Sequence, residues 1–331
     1  MAAPTIAIIG GGPCGLTLAR LLECAGIDYV VYERDERQEA LLKCGLFAEF
    51  KRYARYDDTV FALADKLGKK LLQVGQSRDA PEIDRSDLRQ ILLDAIPKDR
   101  IKWGHDLRNT TVGEDNRPVL HFANGVVLSG FKLVVGADGA WSKVRHMITE
   151  AIPQYSGKIF LESKIGHENP LYEKTVSNVG AGTILVMADP ELTLGSKSQR
   201  TSSNNDTVDL QDVEATRGLL LSDFYADWAE ESKDLIRHAV NFRAWPLYTL
   251  STEDMGWKSV SGVTLVGDAT HFSFTNGEGA NLAMTDSLKL ASKIAAQYGN
   301  QNFDQAVQEY EADMFPRGDD YRGQGNGNGY V

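Results

Sequence analysis

Residues 5–33 decide the fold, and they read TIAIIGGGPCGLTLARLLECAGIDYVVYE. The stretch begins with a short β-branched run, which is typical of a strand buried on both faces, and a glycine cluster ends that run. Apolar residues then recur at helical spacing until Gly26, and a second apolar run ends on Glu33. This order of strand, glycines, helix, strand and acid predicts a βαβ unit at the start of the chain.

The glycines Gly10, Gly12 and Gly15 stand at the spacing G-x-G-x-x-G. In this pattern the first glycine permits a tight turn, the second lets the backbone approach a pyrophosphate, and the third lets helix and strand pack closely. The helix N-terminus offers unpaired N–H groups and a positive dipole end to phosphates. Glu33 follows the glycines by about 20 residues, where an acid accepts hydrogen bonds from a ribose. The pattern predicts a dinucleotide site without distinguishing FAD from NAD.

The composition limits the possible functions. The 331 residues carry a net charge of −11, with 42% hydrophobic and 24% charged residues, as in a globular protein of one or two domains. The negative charge argues against a nucleic-acid partner, and no stretch has the length of an apolar membrane span. The apolar N-terminus lacks the basic start of a signal peptide. The cysteines Cys14, Cys24 and Cys44 indicate a reducing, cytoplasmic setting rather than a disulfide framework.

Two further motifs follow apolar runs that are typical of buried strands. Residues 133–135 lead into GADGAWSKVR at 136–145, and residues 263–266 lead into GDATHFSFTNGEGANLAMTD at 267–286. The pattern predicts that a helix begins near Gly279 in the second of these motifs. Each motif therefore places glycines and an aspartate directly after a predicted strand.

Together and in this order, the three motifs resemble the fingerprints of FAD-dependent aromatic hydroxylases, the single-component monooxygenases of the p-hydroxybenzoate hydroxylase type. The flanking segments PEIDRSDLRQILL and RAWPLYTL are most similar to fungal relatives of the tetracycline-inactivating monooxygenases. The resemblance covers most of residues 4–316. It implies an α/β fold, with the Rossmann-like FAD-binding domain of a GR2-type flavoprotein and an inserted β-rich substrate domain.

The implied domains are interleaved along the chain. We expect a split FAD-binding domain at 1–58, 84–150 and 256–316, a substrate domain at 59–83 and 151–255, and a disordered tail at 317–331. The tail is rich in glycine and polar residues, which is why no packed structure is expected there.

The resemblance also assigns residues to the cofactor. The residues implied to contact FAD are Gly10, Gly12, Gly15, Glu33, Arg34, Arg85, Asp138, Gly139, Asp268, Gly277, Gly279 and Asn281. The first three glycines would hold the pyrophosphate, Glu33 the adenosine ribose, and Arg85 the flavin phosphate or ribityl region. Asp138 belongs to an Asp-Gly motif associated with FAD and nicotinamide nucleotides, and Asp268 would bind the ribityl chain or the pyrophosphate-linked ribose. Spacing gives Arg34 no defined role.

The loop 276–281 would bring backbone N–H groups to N1 and the C2 carbonyl of the flavin. Reduced flavin is anionic at N1, so a helix N-terminus opened by Gly277 and Gly279 offers donors and a favourable dipole. No catalytic side chain is assigned, because the flavin C4a is the implied reactive centre, and no metal is expected. The implied cofactor is FAD, with NADPH or NADH as co-substrate.

The implied reaction is the hydroxylation of an aromatic or polyketide-like small molecule with O2, in secondary metabolism. Two alternatives stay open. The connection after Glu33 is shorter than in the related proteins, and residues 195–214 are polar where those proteins have a strand. These gaps favour a degenerate FAD-binding protein that is inactive or uncoupled, oxidising NAD(P)H and releasing peroxide. A nicotinamide-only Rossmann reductase is the second alternative, and the later two motifs argue against it. The sequence predicts no oligomeric state.

Single residues support weaker hypotheses. Cys14 occupies a variable position of the glycine motif and is interpreted as a small buried residue rather than a redox group. His271 is interpreted as structural rather than as a general base. Trp245 and Tyr248 belong either to the core or to the lining of a substrate cavity.

Overall fold

The structure is a computed structural model that describes residues 5–35, 61–74, 83, 85–163, 167–174, 183–187, 212–251, 256–273 and 279–325. The strands are β1 (Ile6–Ile9), β2 (Tyr29–Tyr32), β3 (Phe61–Asp65), β4 (Lys70–Val74), β5 (Ile101–Lys102), β6 (Leu107–Val112), β7 (Pro118–Phe122), β8 (Val127–Leu128), β9 (Leu133–Gly136), β10 (Gln154–Glu162), β11 (Thr183–Met187), β12 (Arg243–Thr249) and β13 (Val263–Leu265). The α-helices are α1 (Pro13–Cys24), α2 (Arg85–Asp94), α3 (Val213–Leu219), α4 (Glu230–Arg237), α5 (Asp268–His271), α6 (Gly279–Gln297) and α7 (Phe303–Gly325).

A parallel sheet forms the centre of the first unit, with the strand order β13-β9-β1-β2-β5. Strands β1, β2, β9 and β13 are buried along their whole length, because their residues, apart from Thr264, are apolar or glycine on both faces of the sheet. Strand β1 pairs with β9 from Ile6 opposite Leu133 to Ile9 opposite Gly136. The fold is therefore α/β with a Rossmann-like parallel sheet, as the sequence predicted.

The two faces of this sheet pack against different layers. Side chains of Ile6 and Ile8 belong to a core shared with α1, α6 and α7. Side chains of Ala7 and Ile9 point to the other face and belong to a core shared with β6 and β7. Strands β6, β7 and β8 form an antiparallel sheet, so the parallel sheet lies between helices and a second sheet. The loops that carry the sequence motifs follow these strands and therefore lie at the carboxyl edge of the parallel sheet.

The described chain divides into two compact units. The first contains the described residues within 1–53, 84–154 and 248–331, and the second those within 54–83 and 155–247. In the second unit β3 pairs in parallel with β11 and antiparallel with β4, while most of β10 and β12 form a separate pair. The domain limits expected from the sequence stay a prediction.

The C-terminal segment differs from the sequence-based expectation. A disordered tail was predicted from residue 317, but α7 continues to Gly325. Pro316 lies inside this helix and cannot donate a backbone hydrogen bond. The next residue, Arg317, forms ion pairs with Asp313 and Asp286, which fix the helix beyond the proline. The prediction was therefore wrong for residues 317–325, and residues 326–331 lie outside the described part.

Candidate cofactor site

The three sequence motifs meet at one edge of the parallel sheet. Strand β1 leads into the glycine turn, β9 into the Asp-Gly loop and β13 into the Gly-Asp turn, and β9 lies between the other two strands. The carboxyl ends of parallel strands lie at the same edge, and ligands of open α/β sheets bind in the crevice outside that edge. The candidate site is therefore this edge, which combines residues from distant segments of the chain.

Two glycines of the first turn are required by backbone packing. Gly10 has φ 107°, and a Cβ added to it would lie 2.4 Å from the backbone oxygen of Ala137. A Cβ added to Gly15 would lie 2.1 Å from the backbone oxygen of Gly10. A side chain at either position would overlap main-chain atoms, so both glycines are needed whatever the ligand.

Gly12 has a different environment, because no described protein atom lies within 4 Å of the position of its Cβ. It is the N-cap residue of α1, and no side chain caps that helix end. The N–H groups of the first turn, apart from the position taken by Pro13, are thus available to an anion. Open space in front of an uncapped helix N-terminus fits a pyrophosphate.

Glu33 and an arginine that the sequence analysis missed hold the glycine turn. The backbone N–H of Gly11 donates to Oε2 of Glu33, and Nε of Arg89 donates to the backbone oxygen of Gly11 at 2.7 Å. Nη2 of Arg89 lies 4.0 Å from Oε1 of Glu33. Arg34 instead pairs with Asp35, and its side chain is 68% exposed. The described contacts therefore bring Glu33 and Arg89 to the turn, but not Arg34.

Asp138 closes its own loop. Its carboxylate accepts hydrogen bonds from Oγ of Ser142 at 2.6 Å and from the backbone N–H of Lys143 at 2.7 Å. Burial raises the pKa of Asp138, whereas these hydrogen bonds oppose the increase. Gly139 follows with φ 78°. The aspartate thus shapes the loop, and Gly139 allows the left-handed backbone conformation that the loop needs.

Arg145 joins the loop after β9 to the turn after β13. Its buried guanidinium donates to the backbone oxygen of Ala140 at 2.7 Å, of Asp268 at 3.0 Å and of Ala269 at 2.8 Å. Burial lowers the pKa of Arg145 to about 10, and the charges of Asp138 and Asp268 oppose that decrease. The side chain therefore remains a cation at neutral pH, and its hydrogen bonds go to backbone oxygens.

Asp268 faces the open side of the site. Residue 268 is solvent-exposed, yet desolvation by the surrounding protein raises the pKa of its carboxyl group. The positive charges of Arg85 and Arg145 oppose that increase, so Arg85 lies within electrostatic range of Asp268. Within the described residues, the Asp268 carboxylate receives no hydrogen bond. An accessible carboxylate in partly desolvated surroundings fits a partner with hydroxyl groups.

The predicted helix after the last motif is α6. Gly279 is its first residue, and Asn281 lies in its first turn with its backbone oxygen accepting from Oγ1 of Thr285 at 2.8 Å. Gly277, which was also assigned to the cofactor, lies outside the described residues. The structure therefore describes only the end of the loop 276–281.

A buried acid that the sequence analysis missed lies behind the Gly-Asp turn. Oδ2 of Asp286, on α6, accepts a hydrogen bond from Gly267 and lies 2.5 Å from Nε2 of His271. The contact with Asp286 supports the structural role expected for His271.

The thiol of Cys14 lies 3.1 Å from the backbone oxygen of Ala283, and burial raises its pKa. A thiol with a raised pKa is a poor nucleophile, which favours the packing role expected for Cys14.

The two aromatic residues of β12, Trp245 and Tyr248, are not fully buried. Trp245 is 40% exposed, and the guanidinium of Arg243 lies over its ring at 3.8 Å. Tyr248 packs edge-on against Trp141, with ring centroids 5.1 Å apart. The core alternative was therefore wrong for Trp245.

Among the described residues, no helix is both long and apolar enough to cross a membrane.

Comparisons with known proteins agree with this geometry. The sequence profile of the family described as "FAD binding domain" matches residues 3–49 and 86–321. The monooxygenase penA of Penicillium thymicola is 27% identical, over 94% of this chain and 91% of the relative. A 3-amino-4-hydroxybenzoate 2-monooxygenase of Streptomyces cremeus is 25% identical, over 94% of this chain and 83% of the relative.

The fold also matches solved structures. The crystal structure of a putative FAD-containing monooxygenase from Photorhabdus luminescens has 21% sequence identity and a TM-score of 0.74, and the match covers 97% of this chain and 96% of that one. The uncapped N-terminus of α1, the open space at Gly12 and the accessible Asp268 fit FAD at the sheet edge. The chain belongs to the FAD-binding domain family and is an FAD-dependent monooxygenase.

Proposed function

We propose that this monooxygenase hydroxylates an aromatic or polyketide-like small molecule with O2 and with NADPH or NADH, in secondary metabolism. The observation that carries the proposal is the convergence of three motif loops on one sheet edge, where Arg145 joins the loop after β9 to the turn after β13. The relative that is named for 3-amino-4-hydroxybenzoate supports an aromatic substrate. The likeness of the flanking segments to fungal relatives of tetracycline-inactivating monooxygenases supports secondary metabolism. Cysteine usage supports a cytoplasmic location.

The proposal gives each part of the edge a role toward FAD. The N-terminus of α1 holds the pyrophosphate in the space at Gly12, because its N–H groups and dipole favour an anion. Glu33 has lone pairs left after binding the glycine turn, and these accept from ribose hydroxyl groups. Asp268 accepts from the ribityl chain, and Arg85 approaches the phosphates. The first turn of α6 donates to the flavin ring.

When bound, FAD would supply the redox chemistry, namely reduction by the nicotinamide nucleotide and activation of oxygen for transfer to the aromatic ring of the substrate. One oxygen atom of O2 would enter the hydroxylated product and the other would leave as water, while the nicotinamide nucleotide is oxidised. The protein's own residues bind, orient and desolvate. Desolvation by the surrounding protein raises the pKa of Asp268, which supports an edge that excludes part of the water.

The degenerate alternative predicts the same fold and a different fate for oxygen. It is favoured by the short connection that follows Glu33 in the sequence. An FAD-binding protein that admits water loses activated oxygen as hydrogen peroxide. Such a protein would oxidise NAD(P)H without a product, or would not turn over at all.

Oxygen balance separates the two functions. The purified protein is reconstituted with FAD, and oxidation of NADPH or NADH is followed together with oxygen uptake and peroxide, with and without a panel of phenolic polyketides and hydroxybenzoates. The proposal predicts substrate-stimulated turnover, little peroxide and a product heavier by one oxygen atom. Peroxide equal to the oxygen consumed, with every compound of the panel, would contradict it.

Paired variants connect the reaction to the site. Asp268→Asn removes the accessible carboxylate and should lower both FAD affinity and turnover. Glu114→Gln changes an exposed acid in the turn between β6 and β7 and serves as the control. Equal turnover of the two variants would contradict the placement of the cofactor at Asp268.

A further inference from the structure

The carboxylate of Asp286 is completely buried and is shared among three partners. Oδ2 accepts from the backbone N–H of Gly267 at 3.1 Å and lies 2.5 Å from Nε2 of His271. Oδ1 accepts from Nη2 of Arg317 at 3.1 Å. The reaction proposed above uses neither Asp286 nor Arg317, so their roles need a separate explanation.

The first two partners are the ends of the short helix that carries Asp268. Gly267 is the N-cap residue of α5, and His271 is the last residue of that helix. No side chain of α5 or its N-cap caps the helix. The buried carboxylate of Asp286 therefore binds both ends of α5, which is a single helical turn. Asp268 lies in the same turn and is accessible to solvent.

The conformation of the turn depends on close packing as well. Gly267 has φ 63°, and a Cβ added to it would lie 2.9 Å from Cβ of Ala283 and 3.0 Å from Sγ of Cys14. The turn thus packs closely against α6 and α1. The backbone N–H of Gly267 donates to Asp286, and this hydrogen bond fixes its direction. An unpaired N–H at this buried position would cost free energy.

The third partner comes from the C-terminal helix. A buried carboxylate is costly unless it is paired, and Arg317 of α7 supplies the cation. The same helix contacts the strand that leads into the turn, because Tyr310 donates to the backbone oxygen of Leu265 at 3.1 Å and Glu311 accepts from Oγ1 of Thr264 at 2.9 Å. α7 therefore contacts two successive residues of β13 and reaches the Asp286 carboxylate through Arg317.

We propose that Asp286 and Arg317 are positioning residues for FAD, through which α7 sets the orientation of the turn that carries Asp268. The proposal rests on FAD binding and not on the substrate proposed above. Loss of Arg317 leaves the Asp286 carboxylate without its cation, so the carboxylate, the N–H of Gly267 and His271 rearrange. Asp268 then moves from the place where it meets the cofactor.

FAD affinity of the apoprotein is the test, measured by quenching of flavin fluorescence without substrate. The variants are Arg317→Met, Arg317→Lys and Asp286→Asn. Lysine keeps the charge at Asp286 and should restore part of the affinity that methionine loses, which a purely structural role would not require. Asparagine keeps only one acceptor oxygen, so it cannot serve Gly267 and Arg317 together.

The matched control is Lys293→Met. Lys293 of α6 pairs with Glu309 of α7 at 3.3 Å, so this variant also removes the cation of an α6–α7 ion pair, but at the surface and away from Asp286. Far-UV circular dichroism confirms that each apoprotein is folded at the temperature of titration. Lys293→Met should bind FAD like the wild type.

The expected result is that Arg317→Met and Asp286→Asn weaken FAD binding by about tenfold or more, with Arg317→Lys between them and the wild type, as for other residues that orient ligand-binding groups. Affinities of Arg317→Met and Asp286→Asn within about twofold of the wild type would overturn the proposal. If Arg317→Met does not fold, Arg317→Lys and Asp286→Asn decide by the same criterion.

Discussion

Nη2 of Arg145 donates a hydrogen bond to the backbone oxygen of Asp268 at 3.0 Å, across 123 positions of sequence. The same side chain donates to Ala140 and Ala269, so one buried cation joins the loop after β9 to the turn after β13. These segments carry Asp138 and Asp268. This side chain therefore adds hydrogen bonds between two cofactor motifs whose strands, β9 and β13, already pair with each other.

Arg145→Met should destabilise the apoprotein and weaken FAD binding together. It leaves three backbone oxygens, one in a buried and two in partly buried hydrogen bonds, without this donor, and such losses reduce the free energy of unfolding by about 3 kcal/mol. Arg145→Lys keeps the charge but cannot reach all three oxygens, so its effect should be smaller. Urea unfolding of the apoprotein and FAD titration are the measurements.

The control for this prediction is Arg108→Met. Arg108 pairs with Asp106 at 3.1 Å, with 68% of its side chain exposed, and exposed pairs contribute little to stability. If Arg145→Met unfolded at the same urea concentration as Arg108→Met, the proposed connection between the loops would be wrong.

The parts of the site that follow strands were predictable from the sequence. The glycines near Gly10, the loop at Asp138 and the turn at Asp268 each come directly after a short apolar run. Parallel strands end at the same edge, so local patterns were enough to place these motifs together. The buried strands β1, β9 and β13 confirm the pattern that predicted them.

The contacts between motifs were not predictable in this way. Arg89 reaches Gly11 across 78 positions, and Arg317 reaches Asp286 across 31. No local pattern distinguishes these arginines from exposed ones such as Arg34, which was assigned to the cofactor but pairs with Asp35 at the surface. The extent of α7 was missed for a similar reason, because the glycine-rich composition gave no helical signal and the ion pair of Arg317 with Asp286 is a tertiary contact.

Glu311→Gln should change how stability depends on pH. Burial raises the pKa of Glu311 above its ordinary value of 4.5, although hydrogen bonds from Ser259, Thr264 and Trp257 oppose that increase. A raised pKa means that its contribution to stability is complete below the unfolded pKa and is lost as the pH rises through the folded value. Glutamine has no such loss, so the Tm of Glu311→Gln relative to the wild type should increase between about pH 5 and pH 8.

Glu309→Gln on the same helix is the comparison for that experiment. Hydrogen bonds from Gln305 and Lys293 lower the pKa of the exposed Glu309. Its contribution is present above the unfolded pKa and is lost as the pH falls, so any trend should be small and opposite in sign. A difference in Tm between Glu311→Gln and the wild type that stayed constant over this pH range would rule out the effect of burial.

Gly10→Ala should lower the stability of the apoprotein. The new Cβ would lie 2.4 Å from the backbone oxygen of Ala137, and the residue would have to keep φ 107°. Strain of this kind together with a main-chain overlap costs about 3 kcal/mol. Thermal unfolding without FAD measures the loss, and a Tm equal to that of the wild type would show that the turn is looser than described.

The most direct measurement of the central claim is the FAD affinity of Gly12→Val. No described atom lies within 4 Å of the Cβ position, and φ −78° with ψ 176° suits valine, so the apoprotein should lose no more than about 1 kcal/mol of stability. The side chain would nevertheless occupy the space assigned to the pyrophosphate. We predict a folded apoprotein whose FAD dissociation constant is higher by about tenfold or more. A dissociation constant equal to that of the wild type would contradict the binding of FAD at this edge of the sheet.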